Sequence, residues 1–146
     1  KPISIIFKGS LNIILTCGPG ELKQIEKLTT CLKNNTPYTF ISTELSVLLG
    51  ITASAKFVVC HNGGYMHAAS ALGVPVAALF GLTDYRIWKP LGEKSTVLHK
   101  EIDCWPCNSK TMKQVCWDGK PECKELISVE DVIKSIQQLC PEYLDK

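Results

Sequence analysis

The sequence predicts an α/β domain built on a parallel sheet with helices on both faces. Three observations carry that expectation. Short strands rich in Ile, Leu, Val and Ala alternate with helical stretches along the first two-thirds of the chain. The strand candidates are apolar throughout instead of alternating, the pattern of strands buried on both sides. Glycine-bearing turns stand where strand gives way to helix, at Cys17-Gly18-Pro19-Gly20-Glu21 and at His61-Asn62-Gly63-Gly64-Tyr65-Met66-His67.

The elements follow in order. Residues 12–17 form a short Ile- and Leu-rich strand stopped by Gly18-Pro19-Gly20. Residues 21–32 read as a helix, because Leu22, Ile25, Leu28 and Leu32 fall on one face. Residues 38–41 are a second strand. Thr43 is placed to cap a helix that runs through Leu45, Leu48, Leu49 and Thr52. Residues 57–60 are a third strand, Gly63-Gly64 breaks the chain, and an Ala-rich helix over 65–72 closes at Gly73. Residues 76–80 are a fourth strand, and 97–99 continue the apolar pattern. An irregular, Cys-rich segment follows over about 103–124. The last element is a helix over 129–139, with Ser128 as cap and Asp131 in the acidic position of a capping box.

Composition bounds the function. The 146 residues fit one domain, and 45% hydrophobic with 21% charged residues is ordinary for a globular chain. A net charge of +2, with lysines scattered and no basic block, argues against a nucleic-acid partner. No apolar stretch approaches the roughly 20 residues of a membrane-spanning helix. Residues 1–17 make a poor signal peptide, since Lys8 and Asn12 interrupt the apolar part and no small-x-small site follows. The chain starts without Met, within an element, and reads as a piece of something longer.

The eight cysteines divide into sets. Cys17, Cys31 and Cys60 sit in apolar periodic segments as small hydrophobes, and Cys140 follows the last helix. Cys104-x-x-Cys107 with Cys116 and Cys123 has a spacing that could hold a structural zinc. The second pair is wider than a usual zinc knuckle, so unpaired thiols or disulfides are the plainer readings and no metal ligand is assigned.

Open parallel sheets bind ligands at the carboxyl ends of their strands. In the second glycine turn a strand runs straight into a helix. Glycines admit a ligand close to the backbone, and the helix start offers unpaired N–H groups and partial positive charge. A phosphate suits that geometry, and His67, one turn into the helix, points back towards it. The plain alternative is a tight turn with a packed histidine.

The stretch from Phe57-Val58-Val59-Cys60-His61-Asn62-Gly63-Gly64 through His67, Gly73-Val74-Pro75 and Phe80-Gly81-Leu82-Thr83-Asp84 resembles the signature of glycosyltransferase family nine, the ADP-heptose:lipopolysaccharide heptosyltransferases. The turn at Gly18-Pro19-Gly20-Glu21, the Trp88-Lys89-Pro90 segment and the Cys104-Trp105-Pro106-Cys107 group are similar to the same family. The resemblance implies a GT-B fold, two Rossmann-like halves facing across a cleft. The whole of 1–146 would be its C-terminal, nucleotide-sugar-binding domain, without the N-terminal acceptor domain. It implies that Asn62, Gly63 and Gly64 lie at the pyrophosphate of an ADP-sugar donor with His67 beside it, and that Tyr65 is a further donor-binding residue. Glu21 would lie near the ribose and Thr43 at the adenine, with Gly18 and Gly20 as further donor-binding residues. The implied work is lipopolysaccharide core synthesis in the cytoplasm, peripheral to the inner face of the inner membrane. The lipid A–core acceptor and the general base would both belong to the missing half. No catalytic residue is therefore expected in this chain, and no cofactor is required. Asn62 stands where the family has Asp, and Gly63 where it has Ser or Thr, which bears on the identity and affinity of the sugar donor. Two other readings remain open: a non-catalytic nucleotide-binding or structural module, and a GT-B sugar epimerase.

Overall fold

A computed structural model describes residues 12–17, 23, 30, 38–103, 105, 107 and 122–143. The elements are β1 (Ile13–Thr16), β2 (Tyr38–Ile41), α1 (Leu45–Ala53), β3 (Val58–His61), α2 (Gly64–Ala71), β4 (Val76–Leu79), α3 (Tyr85–Trp88), β5 (Ser95–Leu98), α4 (Glu122–Glu125) and α5 (Val129–Leu139). A 3₁₀ turn at Pro141–Tyr143 follows. Of the helix expected over 21–32, only Lys23 and Thr30 are described, and both are helical; its apolar face lies outside the described residues.

All strand pairing among the described residues is parallel. β1 pairs with β2, and β3, β4 and β5 form a three-stranded set with β4 in the centre. β4 shows why its sequence is apolar without a break. Val76, Ala78 and Phe80 turn to one face and pack with Val58, Met66, Ala69 and Val74. Ala77 and Leu79 turn to the other and pack with Val132 and Ile136 of α5. Successive strand side chains point to opposite faces, so a central strand covered twice has no position for a polar residue. Phe80, Met66 and Val76 are wholly buried. Each contributes about 1.5–3 kcal/mol by leaving water, and together they hold α2 against β3 and β4.

The ends of the helices have local causes. Gly73 adopts φ 75°, the left-handed conformation that stops α2 and turns the chain into β4. At α5 the capping box forms in both directions: the Ser128 hydroxyl accepts from the Asp131 N–H, and the Asp131 carboxylate accepts from the Ser128 N–H. The turn before β5 lies close on α2. Gly92 N–H donates to the Ser70 hydroxyl over 2.8 Å. A Cβ at Gly92 would come within 2.6 Å of that oxygen and 3.0 Å of the Ser70 carbonyl, so only glycine fits without a shift.

The structure corrects two expectations and adds one element. Thr43 does not cap α1. Glu44 holds the cap position without a side-chain bond, and Leu48 N–H bonds the Glu44 carbonyl, so the helix starts one residue too late for the Thr43 hydroxyl. The segment between β4 and β5, to which no element was assigned, contains α3, started by Asp84 accepting from the Arg86 N–H. The end of the Cys-rich segment is helical in α4, where Cys123 is buried. Among the described residues no helix is long and apolar enough to cross a membrane.

Candidate functional site

Because β3, β4 and β5 run parallel, their carboxyl ends gather on one rim. That rim holds His61-Asn62-Gly63-Gly64 after β3, Gly81-Leu82-Thr83-Asp84 after β4, and His99-Lys100 after β5. The first two loops are tied together. Asn62 N–H donates to the Leu79 carbonyl over 3.0 Å, and the Asn62 side-chain amide donates to the Thr83 hydroxyl over 2.7 Å. The bond uses the amide hydrogen of Asn62 and leaves its carbonyl oxygen out of that contact.

Gly63 sits at the N-cap of α2 with φ 163° and ψ −177°, an extended conformation open to any residue. No side chain caps this helix. A Cβ at Gly63 or Gly64 would meet nothing within 4 Å. The first turn of α2 is thus uncapped by any side chain, with the partial positive charge of a helix start at its N–H groups. His67 is exposed on this first turn, its own N–H bonded to the Gly63 carbonyl at 3.4 Å.

Tyr65 belongs to a different contact. The Thr52 hydroxyl donates to the Leu48 carbonyl at 2.7 Å, so its single proton is committed, and Tyr65 O–H donates to it over 2.8 Å. The Tyr65 hydroxyl is thus directed to α1. Thr43 is exposed in the connection between β2 and α1. Gly18, Gly20 and Glu21 lie outside the described residues.

Several residues of the rim were not assigned to the site in the sequence reading. His99, Tyr85 and Trp105 stack, with centroids 3.9 Å apart for Tyr85 and His99 and 5.4 Å for Tyr85 and Trp105. Trp105 Nε1–H donates to the Gly81 carbonyl at 3.0 Å, and Cys107 N–H to the Leu82 carbonyl at 3.1 Å. Trp105 and Cys107 are therefore fastened to the loop after β4. Cys104 and Cys116 lie outside the described residues, so the proposed cysteine set cannot be assembled from Cys107 and Cys123 alone.

Charge on the rim is partly cancelled. Arg86 meets Asp84 in a forked pair, with Nη2 to Oδ2 at 2.6 Å and Nε to Oδ1 at 2.9 Å. The Arg86 hydrogen bond holds the Asp84 carboxyl below its ordinary range. An anion at the rim thus faces a compensated carboxylate. Lys100 is likewise paired with Asp131 at 3.0 Å. His61 is held below the usual histidine range, first by burial and then by the positive charge of Lys124. Burial alone pushes the Cys60 thiol to about 11, which makes it an inert packing group. A cavity of about 260 Å³ lies between β5 and α5, bordered by Thr96, Lys100, Lys134 and Ser135.

The family model for glycosyltransferase family 9 (heptosyltransferase) matches residues 4–118. The chain is 26% identical over 147 residues to lipopolysaccharide heptosyltransferase 3 of Escherichia coli (strain K12), covering 97% of this chain and 41% of that protein. It superposes on E. coli ADP-heptose LPS heptosyltransferase II with a TM-score of 0.73 at 19% identity, and on a glycosyltransferase family 9 protein of Veillonella parvula with 0.72 at 22%. Each superposition covers 88% of this chain and 36% of the other. The chain thus spans about two-fifths of the length of these relatives, and the structural likeness shows a shared α/β fold.

Proposed function

Because the chain belongs to glycosyltransferase family 9, we propose that it is the sugar-donor-binding half of a heptosyltransferase-type enzyme of lipopolysaccharide core synthesis. In this reading it holds an ADP-heptose-like nucleotide sugar by its diphosphate. The observation that carries the reading is the bond from Asn62 to Thr83, which fixes the loops after β3 and β4 beside the open start of α2.

The chemistry follows from what these groups can do. Glycosyl transfer separates a nucleoside diphosphate from the anomeric carbon, so negative charge grows on the leaving oxygen. Pre-set N–H groups at a helix start stabilise that charge without reorganising during the step. No side chain caps those N–H groups, and Gly63 and Gly64 add no side chain of their own beside them. His67 stands one turn into α2, where a ring N–H can donate a hydrogen bond to a phosphate oxygen. The Arg86–Asp84 pair keeps an uncompensated carboxylate away from the diphosphate. Activating the acceptor hydroxyl needs a general base within hydrogen-bond reach of it. That base and the lipid A–core acceptor are assigned to a further domain, which places the work at the cytoplasmic face of the inner membrane.

The test is calorimetric titration of the chain with ADP, UDP and GDP, alone and joined to an N-terminal half, and repeated with His67→Ala. Binding selective for ADP and weakened in the variant is the expected result. Failure of all three nucleotides to bind even the joined protein refutes the reading.

A further inference from the structure

α4 is a single turn anchored by Cys123, which is 2% exposed, while its neighbour Lys124 is on the surface. The Lys124 side chain does not extend freely into water. It crosses the backbone at Gly81: a Cβ there would lie 2.6 Å from both Cγ and Cε of Lys124 and 3.1 Å from Cδ. Three successive methylenes over one glycine mean that the stem lies flat, held by apolar contact as long cationic side chains often are. Glycine at position 81 is what makes room for it.

The place where the stem crosses is specific. Gly81 is two residues beyond the end of β4 and two before Thr83, the residue that receives the Asn62 amide. The charge of Lys124 is felt at His61, the last residue of β3 and the neighbour of Asn62. The other two cations of the rim are already engaged, Arg86 by Asp84 and Lys100 by Asp131. Among the described residues Lys124 has no carboxylate partner. The turn at Asn62-Gly63-Gly64 offers N–H groups and a partial charge but no full positive charge.

We propose that Lys124 is a binding residue for the diphosphate of the nucleotide donor, laid across Gly81 so that its ammonium meets the phosphates beside the start of α2. The inference rests on the sugar-donor reading above. A lysine in this position offsets part of the negative charge of the bound diphosphate and favours its departure as a leaving group.

The experiment compares the unaltered protein with Lys124→Ala, Lys124→Arg and Gly81→Ala, titrated with ADP, AMP and adenosine. A charge-assisted contact predicts that Lys124→Ala weakens ADP about 10- to 100-fold and leaves adenosine unchanged. Lys124→Arg should keep most of the ADP affinity. Gly81→Ala, which lifts the stem without removing the charge, should fall between. A histidine titration by NMR in Lys124→Ala should show His61 moving up. Equal ADP affinity in Lys124→Ala and the unaltered protein overturns the role of Lys124 and leaves the donor reading standing. A parallel loss of adenosine binding overturns it too, since it marks a structural effect. If the unaltered protein binds none of the three even when joined to an N-terminal half, both readings fall together.

Discussion

Asn62 and Thr83, 21 residues apart in sequence, are joined side chain to side chain at 2.7 Å. The bond links the ends of β3 and β4 at the one place where α2 opens. It orients the loop through Asn62 without using the groups that would face a ligand. Replacing Thr83 by Val removes the acceptor and keeps the shape. Such a bond is worth about 0.5–1.5 kcal/mol, so Thr83→Val should weaken ADP several-fold with the fold retained. Asn62→Ala should do the same, and the double variant should be little worse than either single one, because both remove one contact. Calorimetry with circular dichroism as the folding control measures this. Fully additive losses would mean that the two residues act separately.

Tyr65 makes the opposite prediction. Its hydroxyl donates to Thr52, which is 2% exposed and already bonded to the Leu48 carbonyl. Tyr65→Phe removes this bond between α1 and α2 and leaves Thr52 satisfied by its own donation. The expected outcome in urea unfolding is a loss of about 1 kcal/mol, with ADP affinity unchanged. A marked fall in ADP affinity at unchanged stability would return Tyr65 to the ligand contacts.

Gly63 separates two meanings of glycine. Its φ of 163° is extended, and an added Cβ meets nothing within 4 Å, so neither strain nor crowding requires a glycine there. The fold should accept Gly63→Ser within about 0.5 kcal/mol, the usual scatter for surface changes. The new hydroxyl would stand at the N-cap of α2, where it either caps the helix or donates to a phosphate. Tighter ADP binding at unchanged stability indicates the second role. Greater stability with weaker ADP binding indicates the first, with the cap competing for the N–H groups.

Much of this fold was legible because local and tertiary signals agree. The range 38–41 matches β2, 129–139 matches α5, and the Ser128–Asp131 box forms as its spacing requires. Gly73 closes α2 by the left-handed turn that its identity suggests. The unread parts are those settled by distant residues. Thr43 has the chemistry of a cap, yet the helix starts after Glu44, because the first backbone bond runs to Glu44. α3 is one turn, too short for periodicity to register. In the site, Asn62 was legible from its glycine-rich turn. The role of Thr83 was not, since nothing local to 83 announces a partner at 62. Trp105 and Lys124 were read as members of a Cys-rich segment, and their contacts with Gly81 depend on a fold-back across more than 20 residues.

Asp131 ties acid stability to the start of α5. Its carboxylate accepts from Ser128 N–H at 2.9 Å and meets Lys100 at 3.0 Å. The backbone bond from Ser128, followed by the hydrogen bond from Lys100, pulls its pKa from an ordinary 3.8 to about 2. A carboxyl whose folded pKa lies below its unfolded one stabilises the fold above the unfolded value, and that contribution disappears as pH falls through the folded one. The window is therefore between about pH 4 and pH 2. In that window the cap of α5 should loosen, and with it the burial of Val132 and Ile136 against β4. Asp131→Asn should be less stable near neutral pH and should show a shallower loss of stability between pH 4 and pH 2. Some acid dependence will persist, since Asp84 is also held low by Arg86. Urea midpoints measured across this range decide the matter: an unchanged slope in Asp131→Asn would mean that the capping carboxylate has no part in acid unfolding.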